Sequence, residues 1–436
     1  ISTTTMARVP RKLRAKSMTE QASPLTRNLR RSGVWFVASV LVLAVSSVGL
    51  SRLLESETPA VSLALDPFNV DALIGEIAGR LSETGDGADL DVLATKAKGA
   101  LRFNVADARL YSLIGEIEYR QGEKDEAFEL FDQARKLSKT EIHSLQRSID
   151  RSIEVGDLSK AVAEIDTLLR RWPDRFPVIA AGLPAILSNP DGYQAVLAAL
   201  RIEAPWRSSL FTALGKDPRG LRVANQLLLD LAGSSSQPTS KELSAVINGY
   251  IRQKEYEAAY RLFLFSLSDQ ERTLAGYIFN GGFEQILSGK PFDWQVRDRS
   301  GLEITFAGAR DAGEGDIGAT VRFLNTPVKN AALQQYVELP PGSYRISLIA
   351  SARNLKLPKQ LFWSIRCADP AGEIARFDIP EGTFDRRELS LDFAIGPSAC
   401  PMQLLRLETA AIAESWRFRY VGTLVMHKLS IERVSS

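Results

Sequence analysis

SGVWFVASVLVLAVSSVGLS, residues 32–51, carries no charge, and Arg31 and Arg52 bracket it. Its apolar core runs from Val34 to Leu50. A helix rises about 1.5 Å per residue and a bilayer core is about 30 Å thick, so about 20 residues suffice to cross. The stretch shows no polar periodicity, which sets it apart from a buried core helix. A cleaved signal peptide has a shorter basic region and a small-residue cleavage site, and Ala44-Val45-Ser46 is a weak one. The expectation is one transmembrane helix over 32–53.

Charge on the two flanks differs. Eight Lys or Arg and one acid, Glu20, fall in residues 1–31, a net of +7. Beyond the span come Arg52, Glu55, Glu57 and Asp66. Basic flanks stay in the cytoplasm. The tail 1–31 is therefore expected inside, with the bulk of the chain outside. In a bacterium this is the inner (cytoplasmic) membrane, crossed once, with the N-terminus cytoplasmic and the bulk periplasmic. The whole-chain charge of +2 leaves −5 for the remainder, which argues against a nucleic-acid partner. The tail sets topology and faces anionic headgroups of the bilayer. Met6 is a candidate start of translation.

From about Pro59 the pattern turns helical and repetitive. RLYSLIGEIEYRQGEKDEAFELFDQARKLS (Arg109–Ser138) places apolar and small residues at helical spacing on two helices, with Gly122 between them. Gly122 returns as Gly156 and Ala127 as Ala161, each after 34 residues, and Ile165 answers Phe131. LIGEIAGR (Leu73–Arg80) echoes LIGEIEYR (Leu113–Arg120), with a surplus near Thr84–Gly87. INGYIRQKEYEAAYRLFLF puts Tyr250, Ala259 and Phe263 at matching positions, while Arg175–Gly233 is helical but off-period. The unit resembles the tetratricopeptide repeat, whose period is 34. Tyr111, Ile114, Gly115, Gly122, Ala127, Phe131 and Ala134 match its consensus in order. The resemblance implies a helical solenoid over 59–270 whose inner helices line a groove for protein partners in the envelope or membrane. The positions it assigns to that groove are Arg109, Ser112, Glu116, Tyr119, Arg120, His143, Gln146, Asp150 and Glu154. Solvated helix faces are the other reading of these residues.

Near Tyr277 alternating β-branched and aromatic runs take over. Candidate strands are Leu302–Ala307, Ile317–Leu324, Leu333–Leu339, Tyr344–Ala352, Leu361–Cys367, Ile374–Ile379, Glu388–Ile395, Gln403–Glu408 and Thr423–Val434. Pro-, Gly- and Asp-rich turns divide them, as in a sandwich or barrel. FNGGFEQILSGKPFDWQV (Phe279–Val296), PGSYRISLIASA (Pro341–Ala352) and MHKLSIERV (Met426–Val434) resemble carbohydrate-binding modules with a galactose-binding-like jelly roll. The resemblance implies an antiparallel β-sandwich over 277–436 with affinity for polysaccharide. His427-Lys428 stands where that family has an acid, so a family-type calcium site is not expected. Sugar faces stack on exposed aromatic rings, and the candidates are Trp416, Tyr420, Tyr336 and Trp294. Trp363, alternating with Phe362 and Ser364, reads as core.

Cys367 and Cys400 are the only cysteines. An oxidising compartment allows a disulfide between them, and two buried thiols are the alternative. There are two histidines, and no His-Glu-x-x-His, Cys-x-x-Cys, Gly-x-Ser-x-Gly or phosphate-binding glycine loop. Neither a reaction, a metal nor a cofactor is expected, although a carboxylate pair of glycosidase type stays open. The sequence thus predicts a multidomain α plus β chain: membrane helix, repeat solenoid, jelly roll. It reads as a scaffold accessory to extracellular polysaccharide synthesis or export, with a structural subunit of a larger membrane complex, its β-sandwich a protein-docking domain, as the alternative.

Overall fold

The computed structural model describes residues 24–83, 89–296, 301–307, 318–328, 333–397, 400–410 and 417–434. The basic tail up to residue 23 and the Thr84–Gly87 surplus lie outside them. Two compact units divide between Ser148 and Ile149.

The first unit opens with α1 (Pro24–Leu54). Its segment Trp35–Leu54 is long and apolar enough to be a membrane span or a signal sequence, and almost none of it is buried. Then follow α2 (Pro59–Leu65), α3 (Val70–Glu83), α4 (Leu90–Leu101), α5 (Ala108–Gln121), α6 (Lys124–Leu137) and the start of α7 (Ile142–Glu154). The α5–α6 hairpin shows how sequence sets geometry. Asp107 caps α5 by accepting from the Arg109 amide at 3.0 Å, satisfying one of the orphan donors of a helix start. Gly122, at φ +97°, ends it in the left-handed conformation that suits glycine. Ala127, Phe131 and Ala134 turn one buried face of α6 inward. Gly115 sits beneath the Phe131 ring: a Cβ there would lie 2.9 Å from Phe131 Cε1. Ile77 and Leu81 of α3, Leu93 and Ala97 of α4 and Ile114 and Ile117 of α5 form one shared core.

The second unit continues with α8 (Leu158–Arg171), α9 (Phe176–Ala180), α10 (Leu183–Ser188), α11 (Pro190–Arg201), α12 (Arg207–Leu214), α13 (Pro218–Ala232), α14 (Ser240–Arg252), α15 (Tyr256–Phe265) and α16 (Asp269–Arg272). Ten strands follow: β1 (Gln295–Val296), β2 (Leu302–Ala307), β3 (Gly318–Thr326), β4 (Leu333–Val337), β5 (Gly342–Lys356), β6 (Leu361–Cys367), β7 (Gly372–Asp378), β8 (Gly382–Ile395), β9 (Gln403–Thr409) and β10 (Tyr420–Arg433). They make two five-stranded antiparallel sheets, β1-β4-β9-β6-β7 and β2-β3-β10-β5-β8. One apolar cluster holds Trp363, Ile365 and Leu405 of the first sheet with Val321, Ile346 and Leu424 of the second. Within this unit an aromatic seam joins helix to sheet. Phe263 of α15 lies 5.3 Å from Phe279 and 5.2 Å from Phe292, ring to ring. Lys290 Nζ beside it donates to Glu271 at 3.0 Å.

Candidate functional site

In the first unit, α3, α5 and the start of α7 bound a cleft of about 380 Å³. Ile74, Ala78, Leu81, Leu113 and Ile142 supply apolar walls, and Arg109, Ser112, Glu116, Arg120, Glu141 and His143 the polar ones. Arg109, in the first turn of α5, reaches Asp107 at 2.7 Å and Asp71 at 2.6 Å. The Asp107 bond leads in holding its guanidinium pKa above the ordinary value, and Arg109 in turn holds both carboxyls low. Ser112 Oγ donates to Glu141 at 2.5 Å, and Glu141 also caps α7 through the Ser144 amide at 2.7 Å.

Glu116 is the hub. Its side chain is 6 % exposed, yet it accepts from Arg120 Nε, His143 Nε2 and both Nε and Nη2 of Arg147, each at 2.9 Å. Burial pushes its carboxyl pKa up, but the bonds from His143, Arg120 and Arg147 outweigh that and hold it at about 2. The cations around the cleft are thus already neutralised by carboxylates. Such a cleft suits an apolar side chain of a partner better than a charged ligand.

The structure therefore gathers Arg109, Ser112, Glu116, Arg120 and His143 about one cavity. Tyr119 is not in its lining: its ring packs edge-on to Phe128 and under the Arg147 guanidinium, 4.4 Å from the centroid. Gln146, half-buried, is not in the lining either. Asp150 and Glu154 belong to the second unit and are exposed there. Asp71, Glu141 and Arg147 escaped the sequence reading. Arg147 was legible, one helical turn beyond His143 on the same face.

A second cleft, about 740 Å³, opens on the outer face of β5, β8 and β10. Ser351 and Arg353 alternate with core residues Ala350 and Ala352, and Thr423 and Val425 with Leu424 and Met426. The ladders slip at this place. Register shifts fall between Ala350 and Ala352, and between Met426 and Lys428, beside Ser351 and His427. Arg386, from β8, has φ +35°, unusual outside glycine. Bulges of this kind re-aim side chains next to sites.

Ser351 Oγ lies 2.8 Å from His427 Nε2, accepts from the Arg386 amide at 2.9 Å, and donates to Asp385 Oδ1 at 3.2 Å. A serine hydroxyl has one proton. Given to Asp385, it obliges His427 Nε2–H to donate, and His427 Nδ1 is buried without a partner. In an acyl-transfer triad the carboxylate instead orients the imidazole, which takes the serine proton. Here the trio fixes the cleft wall. Arg353, Arg386 and Asp385 are exposed and Phe384 is half-buried. Two guanidinium groups against one carboxylate leave the lining net positive.

The aromatic candidates fare differently from expectation. Trp294 is 1 % exposed; its indole donates to the Asn280 carbonyl at 2.9 Å and packs on Phe283 and Trp363. Tyr420 is fully buried and stacks on Phe323. Neither offers a ring face to a sugar, because rings this large supply the core of the sheet pair. Tyr336 is half-buried, 6.2 Å from Phe292. Trp416 lies outside the described residues. Asn280, in the Asn-Gly-Gly-Phe-Glu segment, has φ +52° and accepts from the Glu284 amide at 3.0 Å, so that segment builds a turn. Cys367 and Cys400 form a disulfide.

No protein-family model matches this chain, and no curated protein does. Solved structures similar to parts of it include carbohydrate-binding modules. A CBM4 module is 16 % identical over 36 % of this chain and 99 % of its own, with a TM-score of 0.28. A CBM61 module in complex with β-1,4-galactotriose is 18 % identical over 37 % and 99 %, at 0.25. The CBM22-1 xylan-binding domain from Paenibacillus barcinonensis is 14 % identical over 36 % and 93 %, at 0.24. At these identities and scores the likeness assigns neither ligand nor activity to this chain.

Proposed function

We propose that this chain is a non-enzymatic scaffold of the bacterial inner membrane, crossing it once with its N-terminus in the cytoplasm. It binds an acidic glycan on its jelly-roll sheets, binds envelope or membrane proteins through its tetratricopeptide-like helices, and serves extracellular polysaccharide synthesis or export. The observation that carries the reading is the cleft on β5, β8 and β10. It is large enough for a few sugar rings, its wall is about half polar and half apolar, and exposed Arg353 and Arg386 line it together with Phe384, whose half-buried ring packs against the sheet core. Hydroxyl-rich ligands need many fixed donors and acceptors with one apolar face to lie on. Net positive charge favours uronate or another acidic sugar.

Titration calorimetry of the full chain in nanodiscs tests this. A uronate-containing oligosaccharide should give heat, and a neutral one of equal length less. Arg353→Ala and Arg386→Ala should each weaken the acidic ligand about tenfold, the scale of a lost charged hydrogen bond. Absence of heat with every oligosaccharide refutes glycan binding. The neutralised apolar cleft of the first unit then favours the second reading, a structural subunit of a membrane complex, which stable co-purification with an integral membrane assembly supports.

A further inference from the structure

We infer that the turns joining α2 to α3 and α4 to α5 insert into the membrane surface where α1 leaves the bilayer, with Phe68 and Phe103 as the inserted side chains. The inference rests on reading α1 as a membrane span. Its argument is one of level. After Leu54 the chain turns and α2 runs back along α1: Ser62 Oγ meets Ser51 Oγ at 2.8 Å and donates to the Ser51 carbonyl at 2.8 Å. Leu65, three residues on, is therefore about 4.5 Å lower, beside Val48 inside the apolar stretch. The chain turns up again at Asn69, whose amide donates to Ser51 Oγ at 2.9 Å and to Glu55 at 3.1 Å. Asp66–Phe68 is thus the bottom of the turn, level with the last apolar turn of α1.

The second turn reaches the same depth. Arg109 pairs with Asp71 at 2.6 Å, and Arg120 donates to the Leu81 carbonyl at 2.7 Å, so α5 rises parallel to α3. Residues 102–107 below it lie at the foot of the unit. Phe103 meets Phe68 edge-on at 6.1 Å. Both are exposed, 75 % and 76 %, and Val105 beside them is 64 % exposed. A pair of aromatic rings left to water at the height of a lipid-facing helix is an interfacial anchor, with exposed Arg102 beside Phe103 in the chain. The buried Ser51–Ser62–Asn69 network fixes the angle between span and turns, so insertion needs no rearrangement.

The test places one thiol at a time in the full chain. Among the described residues there is no free cysteine to compete. Phe68→Cys, Phe103→Cys, Glu123→Cys and Val42→Cys are labelled with an environment-sensitive fluorophore. Each is reconstituted in vesicles without nitroxide, or with nitroxides at both the upper and the deep positions of the acyl chains. Glu123 is at the far end of α5, about 20 Å from the turns. The expected result is a blue shift and loss of most emission to the nitroxide at positions 68, 103 and 42, and none at 123. Quenching at 42 without quenching at 68 and 103 overturns this inference alone. No quenching at 42 overturns the span and the inference together. Emission at 103 that is blue-shifted, indifferent to the nitroxide and lost on dilution assigns the patch to a second copy, and also overturns it. The replaced rings are three-quarters exposed, so the core is not at stake.

Discussion

Replacing Glu116 by glutamine keeps its shape and removes its charge. The structure fixes the expected cost. Glutamate's ordinary pKa of 4.5 falls to about 2 in the folded unit. A group depressed in this way stabilises fully above its unfolded value, and the stability is lost as pH falls through the folded value. Between about pH 4.5 and 2 the unfolded chain holds one more proton at this site, so stability rises with pH there by about 1.4 kcal/mol per pH unit. Over the gap of about 2.5 pH units this is about 3 kcal/mol, the scale seen when one partner of a buried ion pair is removed. Glu116→Gln should therefore lower the protection of the Ile114–Ile117 amides against hydrogen exchange about 300-fold at neutral pH. These amides belong to buried residues of α5. Between about pH 4.5 and 2 the gap between parent and variant should narrow. Asp71 and Asp107 also have lowered pKa values, so the difference between the two proteins, not the parent's own slope, isolates Glu116. Protection within threefold of the parent at pH 7, or a gap that does not narrow in acid, refutes the reasoning.

Gly115→Val should cost about 1–3 kcal/mol, because its Cβ would meet Phe131 at 2.9 Å and the Ala127 carbonyl at 3.1 Å; exchange of α6 amides reads it. Removing the Cys367–Cys400 bridge, which spans 33 residues, with a paired serine substitution should cost about 4 kcal/mol by loop entropy. The fluorescence of buried Trp294 and Trp363 follows that unfolding. Phe384→Ala should weaken acidic-oligosaccharide binding and also lower the melting temperature, because the ring both lines the cleft and packs against the sheet core; equal affinity in the variant would remove the ring from the site.

Much of the fold was legible because its periods are clean. The runs 302–307 and 361–367 are strands at their expected bounds, since apolar and polar residues alternate or the strand is buried on both faces. β8 begins six residues before its expected start, Glu388, because most of Gly382–Arg387 is exposed and leaves no alternation to read. β1 is two residues long and gave no signal. The off-period stretch after Arg175 divides into separate helices at its prolines: Pro177, Pro184, Pro190 and Pro218 each sit in a first helical turn, where the missing amide costs nothing.

The two clefts differ in legibility for the same kind of reason. The helical cleft draws Arg109, Ser112, Glu116 and Arg120 from one face of one helix, which spacing alone exposes. The sheet cleft joins Ser351 to Arg386 and to His427, 35 and 76 residues away in sequence. Two of its strands slip register at the contact, so the period of two that orders a strand fails at the residues that matter. Two of the aromatic candidates chosen by side-chain type lie in the core. Trp294 and Tyr420 are large rings on core-facing positions, and burying their apolar area supplies the shared core. Phe384, flanked by exposed Thr383 and Asp385, is only half-buried and packs against the edge of that core.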